Sequence, residues 1–441
     1  MIIITVLFLN MTNFQYALLG IFIFFILAGV VVFARFGGLG GNAVSAGATV
    51  TIWGTLPKDT MNNLIRDFGV NAVYKEELPA SFEADLINAL AEGKGPDIAL
   101  IPQSLILSEQ SKIYPIPVAA YPISQFQSTF IQEGEMFNTK DGILGLPFVV
   151  DPLVMYWNRD LFSNSGISLP PTYWDDLYNL VPKLTVKDQD STIHQSTIAF
   201  GGYDNVSQSK DILSALLLQV GDPMVALDYD GNYTSKLTDS KNGLGKSVAS
   251  DVVDFYTSFS DPLKSQYSWN DSLPLSKSYF LAGNLALYFG FASELADLQN
   301  KNPNLNFSVT TLPQARDVSV KSTLGNLEAL VILNNSAHKA DAFNAIVKLT
   351  SSDAIASLSA STHLPPVRRD LLANVPSDPA ASAFYQAALQ SKGWLDPSSE
   401  DTNKIFGDMI QSVTSGKSAS NEAVSSASSQ LGELLRQYRK N

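Results

Sequence analysis

VTIWGTLPKDTMNNLIRDFGVNAVYKEELPASFEADLINALAEGKGPDIALIP, residues 50–102, alternates strand and helix signals. Val50, Thr51, Ile52 and Trp53 form a short strand-like run. Met61, Leu64, Ile65 and Phe68 then recur at i, i+3, i+4 and i+7, the stripe of an amphipathic helix, and Gly69 ends it. A second strand is expected over residues 70–74, and Ser81 is positioned to cap a helix carrying Phe82, Leu86 and Leu90 up to Gly93. Pro96-Asp97 then turns the chain into the apolar run 98–101. The order βαβαβ predicts parallel, doubly wound strands in an α/β fold. Ligands of such sheets sit beyond the carboxyl ends of the strands, which makes Trp53-Gly54 and Gln103-Ser104 candidate rim residues. Core packing of Trp53 and a plain loop at Gln103-Ser104 satisfy the same pattern.

Further along, GLPFVVDPLVMYWNRDLF (residues 145–162) is an apolar run interrupted by Asp151 and Pro152. Proline brings no amide to a ladder, so this strand cannot lie mid-sheet throughout. It either crosses between domains, with Asp151 at the crossing, or makes an ordinary turn there. Thr172 and Asp175 have the spacing of a capping box. Tyr203 and Asn205 precede an apolar helix, residues 212–220, whose free amides suit a ligand oxygen. A strand over 285–289 runs through Gly290-Phe291-Ala292-Ser293 into another helix start, again presenting backbone donors at a sheet edge.

The 441 residues suggest two or three domains, each able to bury a core. With no cysteine, a disulfide scaffold, a cysteine zinc site, a thiol nucleophile and a lipoprotein anchor are all excluded. Charged residues make up 16 % and apolar ones 45 %, the composition of a folded chain. A formal charge of −13 with no clustered basic surface argues against a nucleic-acid partner. No pattern supports a metal or other cofactor.

The amino end differs in kind. YALLGIFIFFILAGVVVF (residues 16–33) is uncharged and long enough to span a bilayer, and no Lys or Arg precedes it as a secretory signal would require. An uncleaved transmembrane anchor is therefore expected over 16–33, followed by a linker over 34–47. The competing reading is a signal cleaved after Ala34 or Ala46. Arg35 alone specifies orientation weakly, and Met11 is a second candidate start.

The order and spacing of several segments resemble the extracellular solute-binding proteins of ABC importers, in the sugar-binding family that includes maltose-binding protein. The matching pieces are the strand ending at Trp53, GPDIALIP (95–102), GLPFVVDPLVMYWNRDLF, LPPTYWDDL, YFLAGNLALYFGFASEL (279–295), TLGNLEALVI (323–332), STHLPPVRRD (361–370) and SGKSASNEAVSSASSQL (415–431). The resemblance implies a periplasmic-binding-protein-like bilobed fold of two α/β lobes joined by three hinge crossings, near 148–151, near 330–333 and after Arg369. Lobe 1 would comprise 48–150 and 331–372, and lobe 2 would comprise 151–330 and 373–441. The ligand-binding residues it implies are Trp53, Gly54, Gln103, Ser104, Asp151, Tyr203, Asn205, Phe291, Ser293 and Asn326. Many sugar binders carry tryptophans where this chain has Ser293 and Asn403, which removes two stacking surfaces for a maltodextrin. Trp269 and Trp394 are the residues that would replace them.

The function so implied is a membrane-tethered binding protein outside the cytoplasm. It would act as a monomer, delivering a polar solute, a carbohydrate foremost, to ABC transporter permease subunits. Enzyme motifs are missing: there is no G-x-S-x-G elbow, H-E-x-x-H or P-loop, and His194, His338 and His363 lie far apart. A glycoside-processing enzyme built on two carboxylates and an extracytoplasmic sensor module remain the alternatives.

Overall fold

A computed structural model describes residues 47–316, 318 and 320–438. The elements that position the site are, in chain order, β1 (Val50–Gly54), α1 (Lys58–Asp67), β2 (Ala72–Glu76), α2 (Phe82–Ala91), β3 (Ile98–Pro102), β4 (Ile113–Tyr114) and β5 (Gly145–Asn158). There follow α3 (Leu177–Leu184), β6 (Val186–Lys187), β7 (Ile193–Ile198), α4 (Ser209–Gln219), β8 (Leu285–Phe291), α5 (Leu295–Lys301), β9 (Phe307–Thr310), β10 (Thr323–Leu333), β11 (Ser391–Lys392) and α6 (Ser399–Thr414).

The opening unit has the predicted parallel order, with β1 between β2 and β3 and Ile52 in register with both Tyr74 and Ile98. Met61, Leu64 and Ile65 are the buried face of α1. The second strand starts two residues later than the sequence suggests, because Gly69 and Val70 close the preceding helix. Gly69 has φ +58, its amide donates to the Arg66 carbonyl, and the Val70 amide donates to the Ile65 carbonyl. That paired bonding satisfies carbonyls the helix would otherwise leave open, and only glycine adopts the left-handed position without strain.

One sheet of eleven strands runs through the molecule, in the order β2-β1-β3-β10-β5-β8-β7-β6, with β9 on β5 and both β4 and β11 on β10. It serves two hydrophobic cores. One takes β1 to β3, Leu146–Val150 of β5 and Leu327–Leu333 of β10. The other takes residues 153–156 of β5, β8, α3, α4 and Leu324. The changeover on β5 falls at Asp151-Pro152, and that on β10 at Gly325-Asn326. Residues 330–333 all lie in the first core.

At its changeover β5 also exchanges neighbours. Residues 145–152 pair with β10, whereas Leu153 to Trp157 pair with β8. Pro152 stands where the ladder passes from one partner to the other, so its missing amide disrupts neither. The aspartate before it is the first residue of the strand that is not fully buried.

The helix start near residue 172 is built one residue later than the capping-box spacing suggests. Asp176, not Asp175, accepts from the amides of Thr172 (3.2 Å) and Tyr173 (3.0 Å). Asp175 is instead held in two bonds by Arg316, at 2.8 and 2.9 Å. A bidentate guanidinium contact is stronger than a cap and comes from a residue distant in the chain. Among the described residues no helix is long and apolar enough to cross a membrane. Residues 16–33, where the anchor is expected, lie outside them.

Tyr156 of β5 ties the crossing to the chain after β8. Its ring is buried between Tyr288 and Phe307, at 6.0 and 5.9 Å between centroids, and its hydroxyl donates to the Phe291 carbonyl at 2.8 Å. Tyr156→Phe keeps the rings and leaves that carbonyl without its donor. Urea denaturation should register a loss of about 1–3 kcal/mol, and an unchanged unfolding curve would refute the assignment.

Candidate binding site at the strand crossing

Asp151 and Asn326 stand in register on neighbouring strands where the two cores meet. After β8 the chain turns through Phe291 so that the Ser293 amide donates to Asp151 Oδ1 at 3.0 Å. The turn is fixed by Glu294, which accepts from the Phe291 amide (3.0 Å) and the Tyr288 hydroxyl (2.7 Å) and pairs with Lys277 (2.6 Å). Asp151, Phe291, Ser293 and Asn326 are thus brought together, with Ser293 and Asn326 open to solvent. Burial pushes the Asp151 carboxyl up to about 6; the Ser293 hydrogen bonds oppose this and the charge of Glu294 adds to it. Glu328, two residues beyond Asn326, is pushed up to about 7 by burial and by Asp151. Among the described residues neither acid has a Lys or Arg within ion-pair distance, so no cation offsets the cost of burying their charge.

Beside this crossing, at the start of α4, lies a polar pocket of about 530 Å³. Gln208, at φ +59, is part of its lining and donates from its side chain to Glu294 at 3.2 Å, joining the pocket to the crossing. Tyr203 is buried at the pocket, and its hydroxyl is shared between the backbone carbonyl (2.8 Å) and the Oδ1 (2.9 Å) of Asn403 on α6. The lack of a side chain at Gly407 lets α6 approach this ring, since a Cβ there would stand 3.1 Å from it. Asp211 also lines the pocket, its carboxyl pushed up to about 6, chiefly by burial. The pocket's lysine is committed to the protein: Lys210 Nζ pairs with Asp396 at 2.5 Å and donates to Thr402 Oγ1 at 2.8 Å and to the Ser399 carbonyl at 3.2 Å. What remains toward solvent is a mixture of hydroxyl, amide and carboxyl groups.

The other expected residues are differently engaged. Trp53 is partly buried on β1, with the Lys75 ammonium 3.9 Å from its ring centroid and Glu77 bound to that ammonium at 2.6 Å. Gly54 is a packing position, since a Cβ there would lie 2.9 Å from Leu100 Cβ. Gln103 is buried and donates to the Gly325 carbonyl at 2.6 Å, while Ser104 follows it in the turn after β3. Asn205 braces loops: its amide donates to the carbonyls of Asn270 (2.9 Å) and Leu273 (3.0 Å), and its oxygen accepts from Trp269 (3.0 Å). Trp269 is fully enclosed and Trp394 is buried against Phe406, so neither presents the stacking face that the sequence suggested. Gln208 and Glu400 go unnoticed in the sequence, because they are common polar residues in helix starts and belong to no motif; Glu294 lies within the quoted segment 279–295, but nothing local marks it as the residue that fixes the turn.

Residues 67–388 match the family model described as bacterial extracellular solute-binding protein. A protein of Brucella abortus (strain 2308), described as a binding protein, is 22% identical over 393 residues, which are 82% of this chain and 90% of that one. The sugar-binding protein MalE from the phytopathogen Xanthomonas citri superposes with a TM-score of 0.71 at 18% identity, over 88% of this chain and 98% of its own. The cyclic alpha-maltosyl-1,6-maltose binding protein from Arthrobacter globiformis superposes with a TM-score of 0.69 at 16% identity, over 89% of this chain and 100% of its own. At these identities the two structures establish a shared fold.

The Lys210–Asp396 pair is buried on both sides, with 11% and 6% of the side chains exposed. Lys210→Met leaves the Asp396 carboxylate enclosed without its cation, and chemical denaturation should show a loss of about 3–5 kcal/mol. A loss below about 1 kcal/mol, the worth of a solvated surface pair, would mean that water replaces the lysine.

Proposed function

The chain belongs to the bacterial extracellular solute-binding proteins, and from that membership we propose that it captures a small polar solute, a carbohydrate, between two lobes for delivery to an ABC transporter permease. The observation that carries the reading is the crossing of β5 and β10, where Asp151, Asn326 and the Ser293 turn lie between two separate cores and next to a polar pocket. Carboxylate and amide oxygens accept from sugar hydroxyls, and amide and backbone N–H groups donate to them, so a neutral polyol is matched without a counter-ion. The Xanthomonas citri and Arthrobacter globiformis proteins, which share the fold, are named for sugar or maltosyl-maltose binding. Buried tryptophans and an indole covered by Lys75 favour a ligand held mainly by hydrogen bonds over a long stacked maltodextrin.

In this reading the two cores are the cores of the lobes, and the few residues at the crossings change dihedrals as the lobes close on the solute. Closure is favoured only by a ligand that touches both rims, and it presents one joined surface to the permease. Residues 16–33 tether the binding portion outside the cytoplasm through a bilayer-spanning segment. The family model describes a solute-binding protein and the Xanthomonas citri neighbour is a sugar-binding protein, and no catalytic step is assigned to the carboxyls.

A thermal-shift screen of mono- and oligosaccharides tests the ligand class, since a solute at 100 times its Kd adds about 2.7 kcal/mol of stability. Asp151→Asn should weaken the sugar so found by about 1.5–3 kcal/mol in calorimetry, the range for a hydrogen bond to a charged group. The pH dependence has a definite sign. With the carboxyl pushed up to about 6, a ligand that donates to the carboxylate binds at full strength above that pH. Its affinity falls as pH drops toward 5, by up to about tenfold per unit. A flat profile, or a screen in which no carbohydrate raises the midpoint, would count against the proposal.

Tethering is tested separately by fractionating cells. The full chain should stay with membranes through high-salt and alkaline washes, which release electrostatically held proteins but not a spanning segment. Recovery of a shortened chain in the soluble fraction would mean that the amino-terminal segment is cleaved.

A further inference from the structure

Gln103 and Glu133 form a buried polar cluster where β10 enters the crossing. Both side chains are more than nine-tenths enclosed, at 7% and 3% exposed. Gln103 donates to the Gly325 carbonyl at 2.6 Å, yet its own oxygen and both oxygens of Glu133 have no hydrogen-bond partner. Two glycines make room for the pair: a Cβ on Gly325 would overlap the Glu133 carboxyl, and a Cβ on Gly393 would overlap the Gln103 oxygen. The cluster is therefore rich in acceptors and supplied with one donor group, the Gln103 amide. A buried acceptor left in that state is costly, and a carboxylate more so.

No cation among the described residues pairs with the Glu133 carboxyl. The charged residues on the segments packed against Glu133 are Asp151 on β5, Glu328 on β10, Lys392 on β11 and Glu135 in its own turn. Among the described residues no lysine or arginine lies within ion-pair distance of its carboxyl. Burial pushes that carboxyl up to about 8, and only the Gln103 side chain pulls in the other direction.

We infer that Glu133 is a positioning residue held as the neutral acid, whose proton is the donor that the Gln103 side-chain oxygen lacks while the Gln103 amide holds the Gly325 carbonyl. It acts on the site through Gly325, the residue next to Asn326 and in register with Pro152. Loss of the proton at alkaline pH places an unpaired charge inside the cluster and loosens the entry of β10 into the crossing. This role concerns the chain alone and holds whatever solute is bound.

The test uses the full chain in three forms: native, Glu133→Gln and Glu133→Ala. The native state binds more protons than the unfolded chain between the ordinary glutamate value of 4.5 and about 8. The stability this contributes is complete below the lower value and is lost as pH rises through the upper one. Between pH 6 and pH 9 the thermal midpoint of the native protein should fall by about 3 °C more than that of Glu133→Gln, which carries a permanent donor. Glu133→Gln should match the native midpoint at pH 6, with Glu133→Ala lower. An infrared difference spectrum, native minus Glu133→Gln, should contain a protonated-carboxyl band at pH 7 that disappears by pH 9. Parallel pH profiles for the native and glutamine forms, or no such band, would overturn the inference. Both of those measurements need only the native and glutamine forms, so they decide the matter even when the alanine form does not fold.

Discussion

One strand must serve two interiors, and much of the architecture around the site answers to that requirement. β5 carries fourteen residues through both hydrophobic cores, and a strand flanked by apolar layers cannot change layers without exposing a break in its pattern. The break is Asp151-Pro152. Because the ladder exchanges β10 for β8 at that point, a proline and a carboxylate that would damage a central strand elsewhere cost little here. The same exchange sets Asn326 beside Asp151 and brings the Ser293 turn within one hydrogen bond of it. The polar groups gathered there follow from the geometry of passage between cores.

The electrostatics follow from the same geometry. Asp151 and Glu328 are carried out of water by strands that pass from one core to the other, and Glu133 by a turn packed on the first core; each has its proton affinity raised mainly by burial. By contrast, Lys210 and Lys277 on the second core are tied to Asp396 and to Glu294 and Asp297, where they hold helix starts in place. Cations in this region therefore build the scaffold, while the acids at the crossing retain unused capacity for hydrogen bonds. A net charge of −13 over the whole chain is consistent with that division of labour.

Much of the first core was legible in the sequence because its signals are local. The Met61-Leu64-Ile65 stripe, the stop at Gly69 and the apolar run into β3 each need only a handful of neighbouring residues, and together they imply parallel order. The site was legible to a smaller degree. Asp151 stood out because a carboxylate inside an apolar run demands an explanation. Asn205 and Gln103 resembled ligand residues equally well, but their side chains are claimed by Leu273, 68 positions away, and by Gly325, 222 positions away. No pattern of spacing reveals such claims. The same holds for Asp175, which lost its capping role to Arg316 at a separation of 141 residues, and for Trp269, whose indole was taken by Asn205.

The position of β10 also bears on how the chain is made. The first core opens at Val50 but lacks its central strand until residues 327–333 have been synthesised, because β10 is the neighbour of both β3 and β5. At about 5–20 residues per second a ribosome would need on the order of ten seconds or more to supply that strand after β3 has emerged. Throughout that interval the amino-terminal strands have an open edge and no complete interior. A nascent chain in this condition exposes apolar surface and an unpaired strand edge, the state in which misassembly competes with folding.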